Sequence, residues 1–173
     1  MIGMKKQPNN WVQCRKCKKY EYEPFLKERY YVCSSCNHHL VVPSDLYVSF
    51  FATKWTPVTI NFPNLNHTLV SMFSGYKQRI KRAQIKTGCL SETSIYRIEL
   101  GRHSACFVHL DFRFIAATLS VHMGFSVRSA FNYAIKNDLP IIFYISTGGA
   151  RMQESTYSLY QMIETVQASL EFK

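Results

Sequence analysis

Four cysteines stand in two tight pairs, Cys14-Arg15-Lys16-Cys17 and Cys33-Ser34-Ser35-Cys36, with fifteen residues between the pairs. A C-x2-C turn aims two thiolates at one point. A second such turn, brought back by a short hairpin, completes a tetrahedron of soft ligands, the donor set of zinc. All four positions are sulfur and none is open to water, so the spacing predicts one closed, structural Zn(2+) ion and not a catalytic one. The first forty residues hold too little apolar mass to fold alone, and metal binding supplies the missing free energy. Two disulfides are the weaker reading. They need an oxidising compartment, and Met1 to Pro8 shows no apolar run after its lysines, so the chain is expected not to be secreted. His38 and His39 follow the second pair and are read as surface residues of that knuckle. Cys89 and Cys106 have no such partners and are read as buried small hydrophobes.

A second place for chemistry is Ser146-Thr147-Gly148-Gly149-Ala150-Arg151-Met152-Gln153-Glu154. It follows Ile141-Ile142-Phe143-Tyr144-Ile145, a short β-branched run expected to be a strand buried on both faces of a parallel sheet. The turn therefore falls at a strand's carboxyl end, where open α/β sheets bind ligands. Two adjacent glycines let the backbone come close to a ligand and adopt positive φ. Free N–H groups at the start of the next helix can point at an oxyanion. The turn alone leaves open whether its glycines serve that role or only sterics. It is not the dinucleotide fingerprint, whose third glycine is missing.

The elements that must hold these sites can be read with varying clarity. Residues 1–42 form the zinc segment. Residues 43–75 read as a linker with a short helix, started at Pro43-Ser44-Asp45 with Ser44 or Asp45 as cap and followed by loop around Pro57 and Pro63. Residues 76–173 carry the regular pattern. Tyr76, Ile80 and Ala83 share one helical face, and Thr87-Gly88 stops that helix. Ile95–Leu100 and Ala105–Leu110 read as a hairpin turned at Gly101-Arg102-His103. Val127, Ala130, Phe131, Ala134 and Ile135 follow helical spacing and end at Asn137-Asp138. A last helix carries Leu159, Met162, Ile163, Val166 and Leu170 in one stripe. Strand, helix, strand, glycine turn, helix is an α/β layered arrangement. Nothing after the last helix covers the next sheet edge, so the chain is read as a fragment, a shortened protein, or one completed by a partner.

Charge narrows the partners without choosing one. The 173 residues hold 21 Lys and Arg against 11 Asp and Glu, a surplus that favours anionic partners such as nucleic acid, phosphorylated cofactors or acidic proteins. No stretch reaches the ~18 apolar residues of a membrane span. Residues 14 to 31 interleave cations with Tyr20, Tyr22, Phe25, Tyr30 and Tyr31. These could stack on bases, or pack the small metal core while the lysines face water. The cations of the helix from Tyr76 could likewise meet coenzyme phosphates or solvent. Richness in Tyr, Phe, Ile, Lys and Asn suits an AT-rich genome such as an organelle's.

Taken together, several blocks resemble the β subunit of the multi-subunit acetyl-CoA carboxylase carboxyltransferase of bacteria and plastids. Trp11 with Cys14-x2-Cys17 and Cys33-x2-Cys36-x-His38-His39 is similar to that family's zinc ribbon. Tyr76 to Gly88 is similar to its basic helix, Asp111-Phe112-Arg113-Phe114 to its Asp-Phe-x-Phe, and Thr147 to Glu154 to its Ser-Gly-Gly-Ala-Arg-Met-Gln-Glu, continued by Ser158-Leu159-x-Gln161-Met162. The resemblance implies a crotonase-like (ClpP/crotonase) α/β fold, incomplete here, with the zinc ribbon appended. It implies transfer of a carboxyl group from carboxybiotin, on a biotin carboxyl carrier protein, to acetyl-CoA, giving malonyl-CoA for fatty-acid synthesis. ATP is consumed in the separate biotin carboxylase step. The implied site roles are enolate binding by the amides of Gly148 and Gly149, and substrate binding at Ala150 and Arg151. An α subunit is implied to share the site, and the compartment is the plastid stroma or the bacterial cytoplasm. Two other readings stand beside it: a zinc-ribbon nucleic-acid module, and a carboxyltransferase subunit without chemistry. The last follows from Ile115-Ala116-Ala117-Thr118-Leu119-Ser120 in place of the family's Gly-Gly-Ser-Met-Gly, where each added Cβ restricts φ. The family also continues for roughly another hundred residues.

Overall fold

The computed structural model describes residues 10–62 and 73–172. The first residues and Pro63, with the asparagines after it, lie outside the described residues. The first described elements are a small hairpin, β1 (Trp11–Gln13) against β2 (Tyr20–Tyr22). The helix α1 (Glu23–Glu28) follows at once, with Pro24 at its first turn, where a missing N–H costs nothing. Val12, Leu26, Tyr31 and Leu40 are buried with Cys14 and Cys33 in one small core. Leu46 and Phe50 close that core from the next segment.

That segment carries the expected short helix, α2 (Ser44–Val48), and, beyond it, a strand, β3 (Lys54–Pro57), that pairs antiparallel with β4 (Thr93–Leu100). Pro57 hid the strand in the sequence. Proline is tolerated here because β3 is the outermost member of the sheet. Val48 of α2 is fully buried against Tyr96, Ile98, Ala105 and Phe107, which ties the metal segment to the sheet. The expected cap is absent: the N-cap residue is Pro43, and Ser44 turns its hydroxyl to His109 instead.

The expected helix is present as α3 (Tyr76–Thr87) and ends at Gly88 with φ 72°, a left-handed stop that suits glycine. β4 and β5 (His103–Leu110) form the expected hairpin. The helix α4 (Val121–Lys136) then crosses back, its first turn capped by the Ser120 hydroxyl, which accepts from the Met123 amide at 3.0 Å. The last strand, β6 (Ile141–Tyr144), lies parallel to β5. The sheet order is β3-β4-β5-β6, so it is mixed and not parallel throughout. β6 is its edge. Phe143 packs under α4 while Ile142 and Tyr144 stay exposed, which corrects the expectation of a strand covered on both faces.

The last helix, α5 (Ser155–Glu171), packs on α4 through small and polar residues: Ser158, Gln161 and Ala168 are buried. Gly124 of α4 permits this approach, since a Cβ there would stand 2.7 Å from the Cβ of Gln161. Arg128 adds ion pairs to Glu164 at 2.9 Å and to Glu171 at 3.6 Å. The apolar stripe of Leu159, Met162, Ile163, Val166 and Leu170 is real but faces outward, each residue more than half exposed. Among the described residues, no helix is long and apolar enough to cross a membrane.

Candidate functional site

The two cysteine turns are near copies of each other. In the first, the Lys18 amide donates to Cys14 O and the Cys14 amide to Lys19 O, both at 2.9 Å. In the second, the Asn37 amide donates to Cys33 O and the Cys33 amide to His38 O, both at 3.0 Å. Lys18 and Asn37, each just after the second cysteine of its turn, take φ of 65° and 53°. The four sulfurs lie within 4.8 Å of one another, with Cys14–Cys36 at 3.6 Å and Cys17–Cys33 at 3.7 Å. A tetrahedron of ~2.3 Å zinc–sulfur bonds has edges of ~3.8 Å, so the donor set fits such an ion. Burial pushes Cys33 up to about 12. At Cys14 burial acts the same way but is outweighed by the amides of Cys17 and Lys16, which bring it down to about 7. Glu21, which sequence reasoning missed, joins the second turn to the hairpin. Its Oε1 accepts from the Ser34 amide at 3.0 Å, the Ser34 hydroxyl at 2.6 Å and the Cys33 thiol at 3.4 Å. Of the interleaved aromatics only Tyr31 packs the core; Tyr20, Tyr22, Phe25 and Tyr30 are exposed, as is Trp11.

The glycine turn sits at the carboxyl end of β6 as expected, and it is built against a second loop. Leu119 and Ala150 form a parallel bridge, with the Leu119 amide donating to Gly149 O at 2.8 Å and the Arg151 amide to Leu119 O at 2.9 Å. The Thr147 hydroxyl donates to Ala117 O at 2.6 Å. The Gly148 amide is engaged by Ala116 O at 2.9 Å, so this expected oxyanion donor is turned into the protein. Gly149 is different. Its φ is 90°, a side chain there would meet nothing within 4 Å, and its amide makes only a 3.2 Å bond to the exposed Thr147 hydroxyl. Ala150 is exposed, and its amide points away from the bridge with no partner among the described residues. In this turn the Ala150 amide is thus without a partner among the described residues, and the Gly149 amide is tied only to the Thr147 hydroxyl.

The loop opposite keeps a left-handed course without glycine. Ile115, Ala116 and Ala117 have φ of 47°, 55° and 46°. Each costs roughly 1–2 kcal/mol for an L-residue, so the surrounding hydrogen bonds must impose the shape.

Arg151, expected beside substrate, is 2% exposed and fully engaged inside the protein. Its guanidinium donates to Thr118 Oγ1 at 3.0 Å, Thr118 O at 2.8 Å and Tyr76 Oη at 3.3 Å. Glu92 Oε2 lies 3.0 Å away and Glu154 Oε1 3.8 Å away. The Ser120 hydroxyl donates to Glu92 and the Tyr76 hydroxyl to Glu154. The Val121 amide reaches Glu154 Oε2 at 2.6 Å. Burial works against the charge of Arg151, but Glu92 and Tyr76 outweigh it and hold its pKa above the ordinary value. These contacts fasten the glycine turn to α3 and to the loop before α4. Glu92 and Tyr76 gave no sign of this role in the sequence.

No protein-family model matches the sequence. Curated relatives do. The chain is 30% identical over 166 residues to the chloroplastic acetyl-coenzyme A carboxylase carboxyl transferase subunit beta of Helianthus annuus, covering 94% of this chain and 35% of that protein. It is 29% identical over 164 residues to the carboxyl transferase subunits beta/alpha of Natranaerobius thermophilus, covering 94% of this chain and 27% of that one. The chain spans about a third of the length of the chloroplastic relatives it matches. Among solved structures, the β subunit of P. aeruginosa geranyl-CoA carboxylase superposes with a TM-score of 0.51 at 12% identity, over 84% of this chain and 23% of that one. That likeness is one of fold, the crotonase-like α/β fold of such β subunits.

Proposed function

We propose that this chain, a divergent relative of the acetyl-CoA carboxylase carboxyltransferase β subunits, supplies the coenzyme-thioester half of a carboxyltransferase that makes malonyl-CoA from acetyl-CoA. The observation that carries the reading is the turn after β6, where, beside a strand's carboxyl end, the Ala150 amide has no partner among the described residues and the Gly149 amide is held only by the Thr147 hydroxyl. A thioester oxygen placed there would gather negative charge as the methyl group loses its proton, and each well-aimed amide stabilises that charge by ~3 kcal/mol. Gly148 joins them only if its amide leaves Ala116 O. Biotin on a partner carrier protein supplies the carboxyl group and the ureido nitrogen that takes the methyl proton. This chain then needs no side-chain base: its residues bind the thioester, fix its oxygen and keep the turn rigid through Arg151.

Cys14, Cys17, Cys33 and Cys36 would hold one structural zinc ion, which ties both knuckles of the segment up to about residue 42 to one point. An α subunit is the expected partner, with biotin carboxylase and the carrier protein acting in the same complex. The outward stripe on α5 supports a covering partner, and the relative from Natranaerobius joins beta and alpha in its description. The chloroplastic relatives support the plastid as the compartment. The test is carboxyl transfer to acetyl-CoA by this chain co-expressed with an α subunit. We expect turnover that Gly149→Val lowers at least about a hundredfold with metal content unchanged. An assembled pair that transfers no carboxyl group, or a variant as active as its parent, rejects the reading. The exposed aromatics of the ribbon, set among lysines, favour a secondary role in contacting nucleic acid. RNA affinity that does not fall steeply with salt would reject that role.

A further inference from the structure

A cavity of about 450 Å³ opens between the metal segment and the sheet, within the ~300–1,000 Å³ typical of small-molecule sites. It lies at the carboxyl ends of β5 and β6, the edge where open α/β sheets bind ligands, and Ser146, the residue before the glycine turn, is part of its wall. The opposite wall comes from the metal segment, through His39 and Leu40. The floor is a bank of nearly parallel rings. His109 stacks on both Tyr47 and Tyr144, at 5.4 and 5.2 Å between centroids and 18° and 16° between planes, and the two tyrosines meet each other at 4.4 Å and 33°.

His109 is 4% exposed, and its Nδ1 is 2.5 Å from the hydroxyl of Ser44. Nε2 has no hydrogen-bond partner among the described residues. Burial first, then Arg113, outweighs Asp111 and brings the ring down to about 4, so it is neutral at physiological pH. A neutral imidazole offers one hydrogen-bond edge and no charge. That suits an uncharged heterocycle better than a phosphate.

We propose that this cavity takes a planar, uncharged nitrogen heterocycle stacked on the Tyr47–His109–Tyr144 bank, and that this ring is the adenine of the coenzyme whose thioester lies at Gly149. The assignment of adenine rests on the function proposed above; the stacking site does not. Adenine is an aromatic plane, and base–aromatic stacking is worth ~1–3 kcal/mol per base. The ureido ring of biotin, the other heterocycle in the reaction, has no aromatic face to offer. The metal segment then has a task beyond its own stability, because it forms one wall of the coenzyme site.

Calorimetric titration of the full chain with adenosine 3′,5′-bisphosphate, and separately with biotinyl-lysine, tests the site. Tyr144→Leu removes part of the stacking surface, and Ser146→Phe fills the cavity while leaving the rings in place. We expect the nucleotide to bind and each variant to weaken it at least about tenfold, with secondary structure and metal content retained. No nucleotide binding, binding unchanged in Ser146→Phe, or loss of biotinyl-lysine binding instead would overturn the proposal. A second readout separates this failure from that of the reaction. In the complex with an α subunit, the variants should raise KM for acetyl-CoA and leave S-acetylpantetheine, which has no nucleotide, unaffected. Equal loss on both substrates rejects the adenine site alone. Absence of turnover on both in the parent protein rejects the carboxyltransferase reading and leaves the titration to judge the cavity.

Discussion

In the metal segment, order radiates from one point: four sulfurs within 4.8 Å of one another and a handful of buried side chains around them. Around the glycine turn, order is spread over a network. Arg151 is joined to Tyr76, 75 residues earlier, and Tyr76 to Glu154, 78 residues later. With an ion at that point, the first design would concentrate stability in a single removable component. The second distributes it, so that no contact is decisive but a missing charge is felt by every partner. The contrast predicts how each region fails.

Removing one sulfur should have the largest effect. Apparent zinc affinities in small structural sites amount to about 10–16 kcal/mol, more than residues 10–42 can recover from their core. Cys33→Ser is expected to lose the metal and unfold this segment while the sheet keeps its far-ultraviolet signal. Metal analysis with hydrogen exchange resolved along the chain reads both. Retained metal, or a sheet that melts together with the ribbon, would erase the contrast.

Removing the cation from the network should cost about 3–5 kcal/mol, since Arg151→Met leaves Glu92 and Glu154 buried without it. Denaturant midpoints measure this. The double variant Arg151→Met, Glu92→Leu should recover part of the loss, because the second change removes an uncompensated charge. A single variant as stable as its parent would show that the network is not structural.

These two regions were also unequally legible. The cysteine spacing is a local signal, and C-x2-C turns close the same way wherever they occur, so the metal cluster could be read without a fold. Gly88 as a helix stop and the β4–β5 hairpin were local too. The partners of Arg151 were not legible, because a motif names residues and says nothing of the neighbours that reach them from far along the chain. β3 was missed because Pro57 reads as loop until one knows that it stands on an edge. The stripe on α5 was visible, but its direction was not: helical spacing identifies an apolar face, and only Gly124 and Gln161 reveal that the opposite face is the one buried.

Acid should act between the two regions, at the buried His109 that Ser44, Tyr47 and Tyr144 surround. The pKa of His109 is about 4 when folded and about 6.5 when free. Because the folded value is depressed, the unfolded chain binds the extra proton between these limits. Stability is therefore complete above pH 6.5 and is lost as pH falls toward 4, by on the order of 3 kcal/mol from this residue. His122, also lowered chiefly by burial, acts in the same direction. Melting temperatures followed from pH 7 to 4 should drop less steeply in His109→Gln. Parallel curves for variant and parent would remove His109 from the account.

The smallest effect is a difference of sign between a core alanine and one in the loop facing the glycine turn. Ala130 lies fully buried in α4, and Ala130→Gly should destabilise by about 1 kcal/mol through lost burial and the extra freedom of glycine in the unfolded chain. Ala116 makes the opposite case. Its φ of 55° strains an L-residue by roughly 1–2 kcal/mol, while glycine there adds only ~0.4–1 kcal/mol of unfolded-state entropy. Ala116→Gly should therefore stabilise the chain by up to about 1 kcal/mol. The neighbouring Ala117 is unsuited to the same test, because its methyl is buried among Leu110 and Met123. Opposite shifts in thermal midpoint for the two alanine-to-glycine changes are expected. If both destabilise equally, the left-handed loop facing the glycine turn carries no strain, and the hydrogen bonds from Thr147 and Gly148 do not impose its shape.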